Sequence, residues 1–320
     1  MGMLIEGRWE PDDDKLVGED GALQRPESAF RNWITPDGAP GPTGEGGFEA
    51  EPGRYHLYVA RACPWAHRAT LFRELKGLQA MIGLSVTHWL MADAGWTFAP
   101  GPGVVPDPLH GAETVWQLYV RADPHYTGRV TVPVLWDKQR ETIVSNESAD
   151  IIRMFNSAFD GVGAIPGDYA PDALLGEIDA LNARIYDGLN NGVYKAGFAT
   201  SQSAYDAAVR GAFETLDWLE SHLSGRTWLC GDVQTEADWR LFTTLLRFDA
   251  VYHGHFKCNL RQLRDYPVLL AYTRRLYAEP AVAPTVDFDH IRRHYYQSHR
   301  QINPTGIVPA GPEPVFPAAS

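Results

Sequence analysis

The hydrophobic period of this chain changes once, near residue 171, and that change constrains the fold more than any other feature. Before it, strand-like and helix-like patterns take turns. Tyr55, Leu57 and Val59 alternate with His56, Tyr58 and Ala60, the two-residue period of a strand. Ala69, Leu71, Phe72 and Leu75 then recur at helical spacing up to Gly77. A second strand is expected over 84–90, and a short helix near TVWQLYVRAD. Val130, Val132, Val134 and Trp136 alternate again, residues 137–140 turn, and residues 142–144 return as a hairpin. A covering helix starts near Ser148. A β-α-β unit followed by β-β-α predicts a small α/β sandwich. From Pro171 onward only the 3.6-residue period remains. Leu174, Ile178, Leu181, Ile185 and Leu189 mark one long helix over 172–195, and Val209, Phe213, Leu216 and Leu219 mark a second. Thr235-Glu-Ala-Asp238 opens a third as a capping box, and a fourth covers 266–278. The second half is all-α.

The 320 residues suit two domains at roughly 150 residues each. The expected layout is an extended Gly/Pro-rich leader over 1–53, an α/β domain over 54–165 and a helical domain over 170–300. A Trp-rich insertion occupies 92–128, and a Pro-rich tail occupies 301–320. Twenty-eight basic against 40 acidic residues leave a net charge of −12, which speaks against nucleic acid or anionic membranes as partners. The longest stretch without Asp, Glu, Lys or Arg is the 16 residues 77–92, too short and too polar to span a bilayer. The N-terminus reads as lacking a secretory signal. Three cysteines suit a reducing, cytoplasmic compartment.

Cys63 is the sharpest chemical candidate. It follows a strand, precedes Pro64 at the expected first helical position, and has Arg61, His67 and Arg68 nearby. A helix N-terminus carries partial positive charge, which favours a thiolate; the plain alternative is a buried, inert cysteine. Ala66 stands where a second redox cysteine would be, so an external thiol must complete any cycle. Pro133 implies either an edge strand or a cis bend. In the cis case the Val132 backbone N–H and C=O would face an incoming peptide. Glu147-Ser148 at a helix start can hold an ammonium and a carboxylate, or can simply cap the helix. Together the three signals describe a site for a small zwitterionic thiol peptide. His253 with His255, and His290 with His294, could chelate a metal but lack an evident third ligand, so no metal site is expected and solvated or capping roles are expected instead. Cys230 and Cys258 read as small residues in helical packing, and 12–15 as a solvated turn. No phosphate-binding glycine motif is present, so no nucleotide cofactor is expected.

Over residues 54 to 299 the chain resembles the glutathione S-transferases, a thioredoxin-like domain followed by an all-α domain. Leu229-Cys-Gly-Asp232 with Thr235-Glu-Ala-Asp238 is similar to the family's helix-capping segment. Cys63-Pro-Trp-Ala66, Gly95-Trp-Thr97, Tyr295-Tyr296 and Asn303-Pro-Thr-Gly-Ile307 resemble the Xi class, the glutathionyl-hydroquinone reductases. The resemblance implies Cys63 as nucleophile and glutathione as co-substrate. Trp96, Arg129, Val130, Thr131, Val132, Glu147 and Ser148 would hold glutathione. Tyr194 would donate a proton, and Tyr252 and Tyr295 would hydrogen-bond the sulfur in an aromatic pocket between the domains. It also implies a homodimer through the helical domain. An Omega-like reductase of dehydroascorbate or mixed disulfides, and a non-catalytic binding protein on the same scaffold, are the competing readings.

Overall fold

The computed structural model describes residues 2–11, 17–314 and Phe316, so the expected turn at 12–15 lies outside the described residues. Two compact units divide the chain. Residues 2–11 and 26–168 form one, and 17–25 with 169–314 and Phe316 form the other.

The first unit is built on a four-stranded sheet of order β4-β3-β6-β7. β3 (Tyr55–Val59) and β4 (Ile82–Val86) are parallel, joined through α1 (Pro64–Leu75). β6 (Val134–Asp137) runs antiparallel to β3 and turns into β7 (Thr142–Ser145). α3 (Ser148–Ser157) follows and packs against α1. All five residues of β3 are buried, because a central strand is covered on both faces. The layering is the one the sequence pattern predicts, with two boundary corrections. The strand expected over 84–90 runs over Ile82–Val86, and residues 130–133 are not part of the hairpin strand. Pro133, in a cis Val132–Pro133 bond, has no N–H for a ladder, and pairing starts at Val134.

The leader region carries structure of its own. β1 (Met3–Ile5) and β2 (Arg8–Glu10) form a hairpin, and β1 also pairs with β5 (Gly128–Arg129) in a three-stranded sheet. Leu4, Ile34, Phe48 and Ala50 are buried core residues. Strands of two or three residues are too short to leave a readable period in the sequence. Within the 92–128 insertion, α2 (Val115–Ala122) starts at a capping box of Thr114 and Gln117.

The second unit is helical: α4 (Leu175–Ile185), α5 (Gly192–Gly197), α6 (Gln202–His222), α7 (Glu236–Arg247), α8 (Pro267–Tyr277) and α9 (Phe288–Ser298). The single helix expected over 172–195 is broken by a π-helical turn at Tyr186–Asn190, after which α5 begins. A second π-turn, Phe248–Tyr252, extends α7. Cys230 and Cys258 are both buried and free, but neither lies in a helix, so the expected helical packing is corrected to loop packing. Burial pushes the Cys258 thiol up to about 12, which makes it inert as a nucleophile.

Candidate active site

Cys63 occupies the N-cap of α1, with Pro64 as the first helical residue. Its backbone is extended and its N–H donates to the Ala60 carbonyl at 3.0 Å, which turns the chain sharply from β3 into the helix. The thiol is partly exposed and lies at the positive end of the helix dipole. Ala66, one turn on, is completely buried and offers no second sulfur. Of the basic neighbours, Arg68 is buried with its guanidinium 4.6 Å over the Trp65 ring.

Val132 lies beside the thiol. The Cys63 Sγ–H donates to the Val132 carbonyl at 3.6 Å, so the carbonyl expected to face an incoming peptide is partnered by the Cys63 thiol itself. Of the segment expected as a strand over Arg129–Val132, only Arg129 lies in a strand, at the end of β5, and residues 130–132 form a tethered loop. Arg129 pairs with Met3 in the leader sheet, and its carbonyl accepts from the Tyr126 hydroxyl at 3.1 Å. The Tyr119 hydroxyl donates to the Thr131 carbonyl at 2.9 Å and accepts from the Thr131 N–H at 3.2 Å. Asn146 donates to that same hydroxyl at 3.1 Å. Tyr119 on α2 and Asn146 in the connection from β7 to α3 therefore shape the loop, and neither stands out in the sequence. Trp96 is buried next to the Gly95 turn, where φ of +70° requires glycine.

Glu147 is the N-cap of α3 and Ser148 its buried first residue. One Glu147 oxygen accepts the Ala149 N–H at 3.0 Å, and the other accepts the Ser28 hydroxyl at 2.9 Å. The carboxylate is half-buried, so it caps the helix and also presents charge outward.

The tyrosines form a second group, in the helical unit. The Tyr295 hydroxyl is hydrogen-bonded to Tyr194 and lies 3.2 Å from the Tyr252 hydroxyl, so three phenols make one chain. Tyr252 and Tyr295 are buried, whereas Tyr194 is partly exposed. Burial, reinforced by its two phenolic neighbours, raises the Tyr295 pKa far above the usual tyrosine range, so it remains a proton donor. Phe256 packs edge-on to Tyr194 and stacks on Tyr252. The Arg25 guanidinium lies 5.9 Å over the Tyr194 ring. The Asn303 amide donates to the Tyr296 carbonyl at 2.7 Å and to the Ile307 carbonyl at 3.0 Å, so the C-terminal motif closes on itself.

The histidine pairs are corrected. His255, His290 and His294 are buried rather than solvated. His255 shares a ring-nitrogen contact of 3.1 Å with His299, and burial lowers its pKa to about 4. Among the described residues no group of three or more His, Cys, Asp or Glu is placed to hold a metal.

Two family descriptions match the chain: the glutathione S-transferase N-terminal domain over 62–158 and the C-terminal domain over 202–275. The chain is 59% identical to glutathionyl-hydroquinone reductase YqjG of Escherichia coli K12, covering 98% of this chain and 95% of that one. It is 53% identical to glutathionyl-hydroquinone reductase PcpF of Sphingobium chlorophenolicum, over 99% and 98%. The glutathione-bound structure of YqjG superposes with a TM-score of 0.91 at 56% identity, covering 98% and 96%. Glutathione S-transferase Xi of Phanerochaete chrysosporium superposes at 0.88 with 49% identity, covering 93% and 100%. With its lone N-cap cysteine, its α/β and all-helical units and full-length likeness to these proteins, the chain belongs to the Xi class of the glutathione S-transferase family.

Proposed function

We propose that this protein is a glutathionyl-hydroquinone reductase. The observation that carries the reading is Cys63 at the N-cap of α1 with Ala66 at the second redox position, a thiol built to form a mixed disulfide it cannot resolve itself. The Cys63 thiolate attacks the sulfur of a glutathionyl-hydroquinone. An S–S bond forms, the S–C(ring) bond breaks, and its electron pair stays on the ring carbon. Tyr194 gives that carbon a proton, releasing the hydroquinone. A second glutathione, as thiolate, attacks the mixed disulfide, releases oxidised glutathione and restores the Cys63 thiolate. Glutathione is thus a co-substrate that supplies both electrons.

Glutathione binding is assigned to Trp96, Arg129, Val130, Thr131, Val132, Glu147 and Ser148, with Glu147 on the γ-glutamyl ammonium and Ser148 on its carboxylate. Tyr252 and Tyr295 are assigned to support of the ionised sulfur. The likeness to the glutathione-bound YqjG structure supports this assignment. Cys63→Ala abolishes turnover while glutathione affinity stays close to wild type. Mass spectrometry after oxidised glutathione finds one adduct, at Cys63; an adduct mainly at Cys230 or Cys258 overturns the reading.

The domain roles follow: 54–165 binds glutathione, and 170–300 carries the hydroquinone site and a C₂ dimer interface. Light scattering at micromolar concentration then gives about 71 kDa, twice the chain mass of 35.6 kDa, and 35.6 kDa contradicts the dimer. No helix of the described residues is long and apolar enough to cross a membrane. We assign the protein to the cytoplasm, a reading that its three cysteines and its glutathione-driven cycle support.

A further inference from the structure

The leader reaches the candidate glutathione segments at several points. Met3 pairs with Arg129. The Trp9 indole donates to the Asp93 carbonyl at 2.7 Å, and its ring lies where a Cβ on Gly95 would fall, so it backs the turn that carries Trp96. The most direct contact is at the start of α3. There the segment 28–32 runs along β7, the edge strand of the four-stranded sheet. The Asn32 N–H donates to the Val144 carbonyl at 2.9 Å, and Arg31 bridges antiparallel to Ser145. Phe30 N–H donates to the Asn146 side chain at 3.1 Å, and its carbonyl accepts the Asn146 N–H at 3.2 Å. Arg31 forks onto both oxygens of Asp150, with one contact at 2.9 Å. Fixed on both sides of Glu147, this segment delivers the Ser28 hydroxyl to the Glu147 carboxylate at 2.9 Å.

The two Glu147 bonds fall on different oxygens, the Ala149 N–H on one and Ser28 on the other. A carboxylate held at both oxygens has its plane fixed, and each oxygen keeps a lone pair for a further donor. Helix capping by itself uses only the first bond. The second bond comes from 119 residues away in sequence and leaves the other oxygen aimed and unable to swing.

We propose that Ser28 is a positioning residue of the glutathione site: its hydroxyl orients the Glu147 carboxylate to receive the γ-glutamyl ammonium, which makes the leader a working part of the binding site. The inference rests on the assignment of Glu147 to that ammonium.

Calorimetry with reduced glutathione, on the full chain, tests it. A bond from hydroxyl to carboxylate is of the size that shifts a dissociation constant about tenfold, so Ser28→Ala weakens glutathione by about that factor and raises KM with kcat nearly unchanged. Ser28→Thr keeps the hydroxyl and restores affinity, whereas Ser28→Val, matched to it in volume, does not. Cysteinylglycine, which lacks the γ-glutamyl group, binds all three variants alike. Adding Ser28→Ala to Glu147→Ala brings no further loss, because the serine acts only through the glutamate. If Glu147→Ala weakens glutathione and Ser28→Ala does not, the role of Ser28 is overturned while the glutathione site stands. If neither weakens it, the ammonium assignment itself is wrong. Equal losses for glutathione and cysteinylglycine make Ser28 a general structural residue and also overturn the proposal.

Discussion

At the scale of single residues, the three tyrosines are unequal although they share one hydroxyl chain. Tyr295 is the middle member, buried, with its pKa forced upward, and Tyr252 is equally enclosed. Tyr194 is the member with exposed surface, so it is the one able to hand a proton to a ligand. Removing glutathione from an aromatic ring requires a proton at carbon, whereas reducing a disulfide does not. Tyr194→Phe leaves Tyr295 hydrogen-bonded to Tyr252, so the fold and glutathione binding survive. General acid catalysis contributes typically ~10²- to 10⁴-fold, and turnover of glutathionyl-hydroquinones falls by that order. Reduction of a simple glutathione mixed disulfide keeps most of its rate. Equal losses on the two substrates, in side-by-side kinetics, would reduce Tyr194 to a supporter of the sulfur.

At the scale of elements, the start of α7 is bonded both to the turn before it and to α8. Asp238 is fully buried. One oxygen accepts the Thr235 N–H at 2.8 Å; the other accepts the Leu229 N–H at 2.9 Å and the Tyr272 hydroxyl at 2.8 Å. The capping box was legible in Thr235-Glu-Ala-Asp238, but the bonds to the preceding turn and to α8 were not, because both come from residues that only folding brings near. Losing an ordinary N-cap costs about 0.5–2 kcal/mol. Asp238→Ala also strands two buried donors beyond the cap, the Leu229 N–H and the Tyr272 hydroxyl, and the loss reaches about 3–5 kcal/mol. Urea unfolding measures it, and a loss below 1 kcal/mol would show that the box acts as a cap alone. The two π-turns teach the complementary lesson. Leu181, Ile185 and Leu189 keep a helical stripe across the first of them, so periodicity has no means of reporting one extra residue per turn. Yet one π-turn ends on Tyr252, and α5, which follows the other, holds Tyr194.

At the scale of the whole molecule, buried imidazoles tie stability to pH, and burial lowers His299 in the same direction as His56 and His255. His56 in the first unit and His255 in the second are lowered by burial from 6.5 to about 4. As pH falls below 6.5 the unfolded chain takes up protons that the folded one refuses. Stability is therefore complete above 6.5 and is lost progressively down to about 4, by about 2 kcal/mol per histidine at pH 5. Asp150, Asp238 and Asp249, raised by burial, work in the opposite sense. Comparison with a variant isolates the histidine: between pH 7 and 5 the melting temperature falls less steeply in His56→Gln than in wild type, and parallel slopes would exclude the coupling. By itself the sequence determined what depends on neighbours along the chain. The period of the apolar residues set the α/β and all-helical halves. Pro64 after Cys63 set the thiol at a helix start, and Thr235 with Asp238 set a cap. Tertiary structure alone decided what depends on contacts across many residues: the loop shaped by Tyr119 and Asn146, the chain of Tyr194, Tyr295 and Tyr252, and the hold of Ser28 on Glu147. A hydrogen bond between distant side chains leaves no period in a sequence, so a leader with almost no pattern can still hold a side chain at the start of α3.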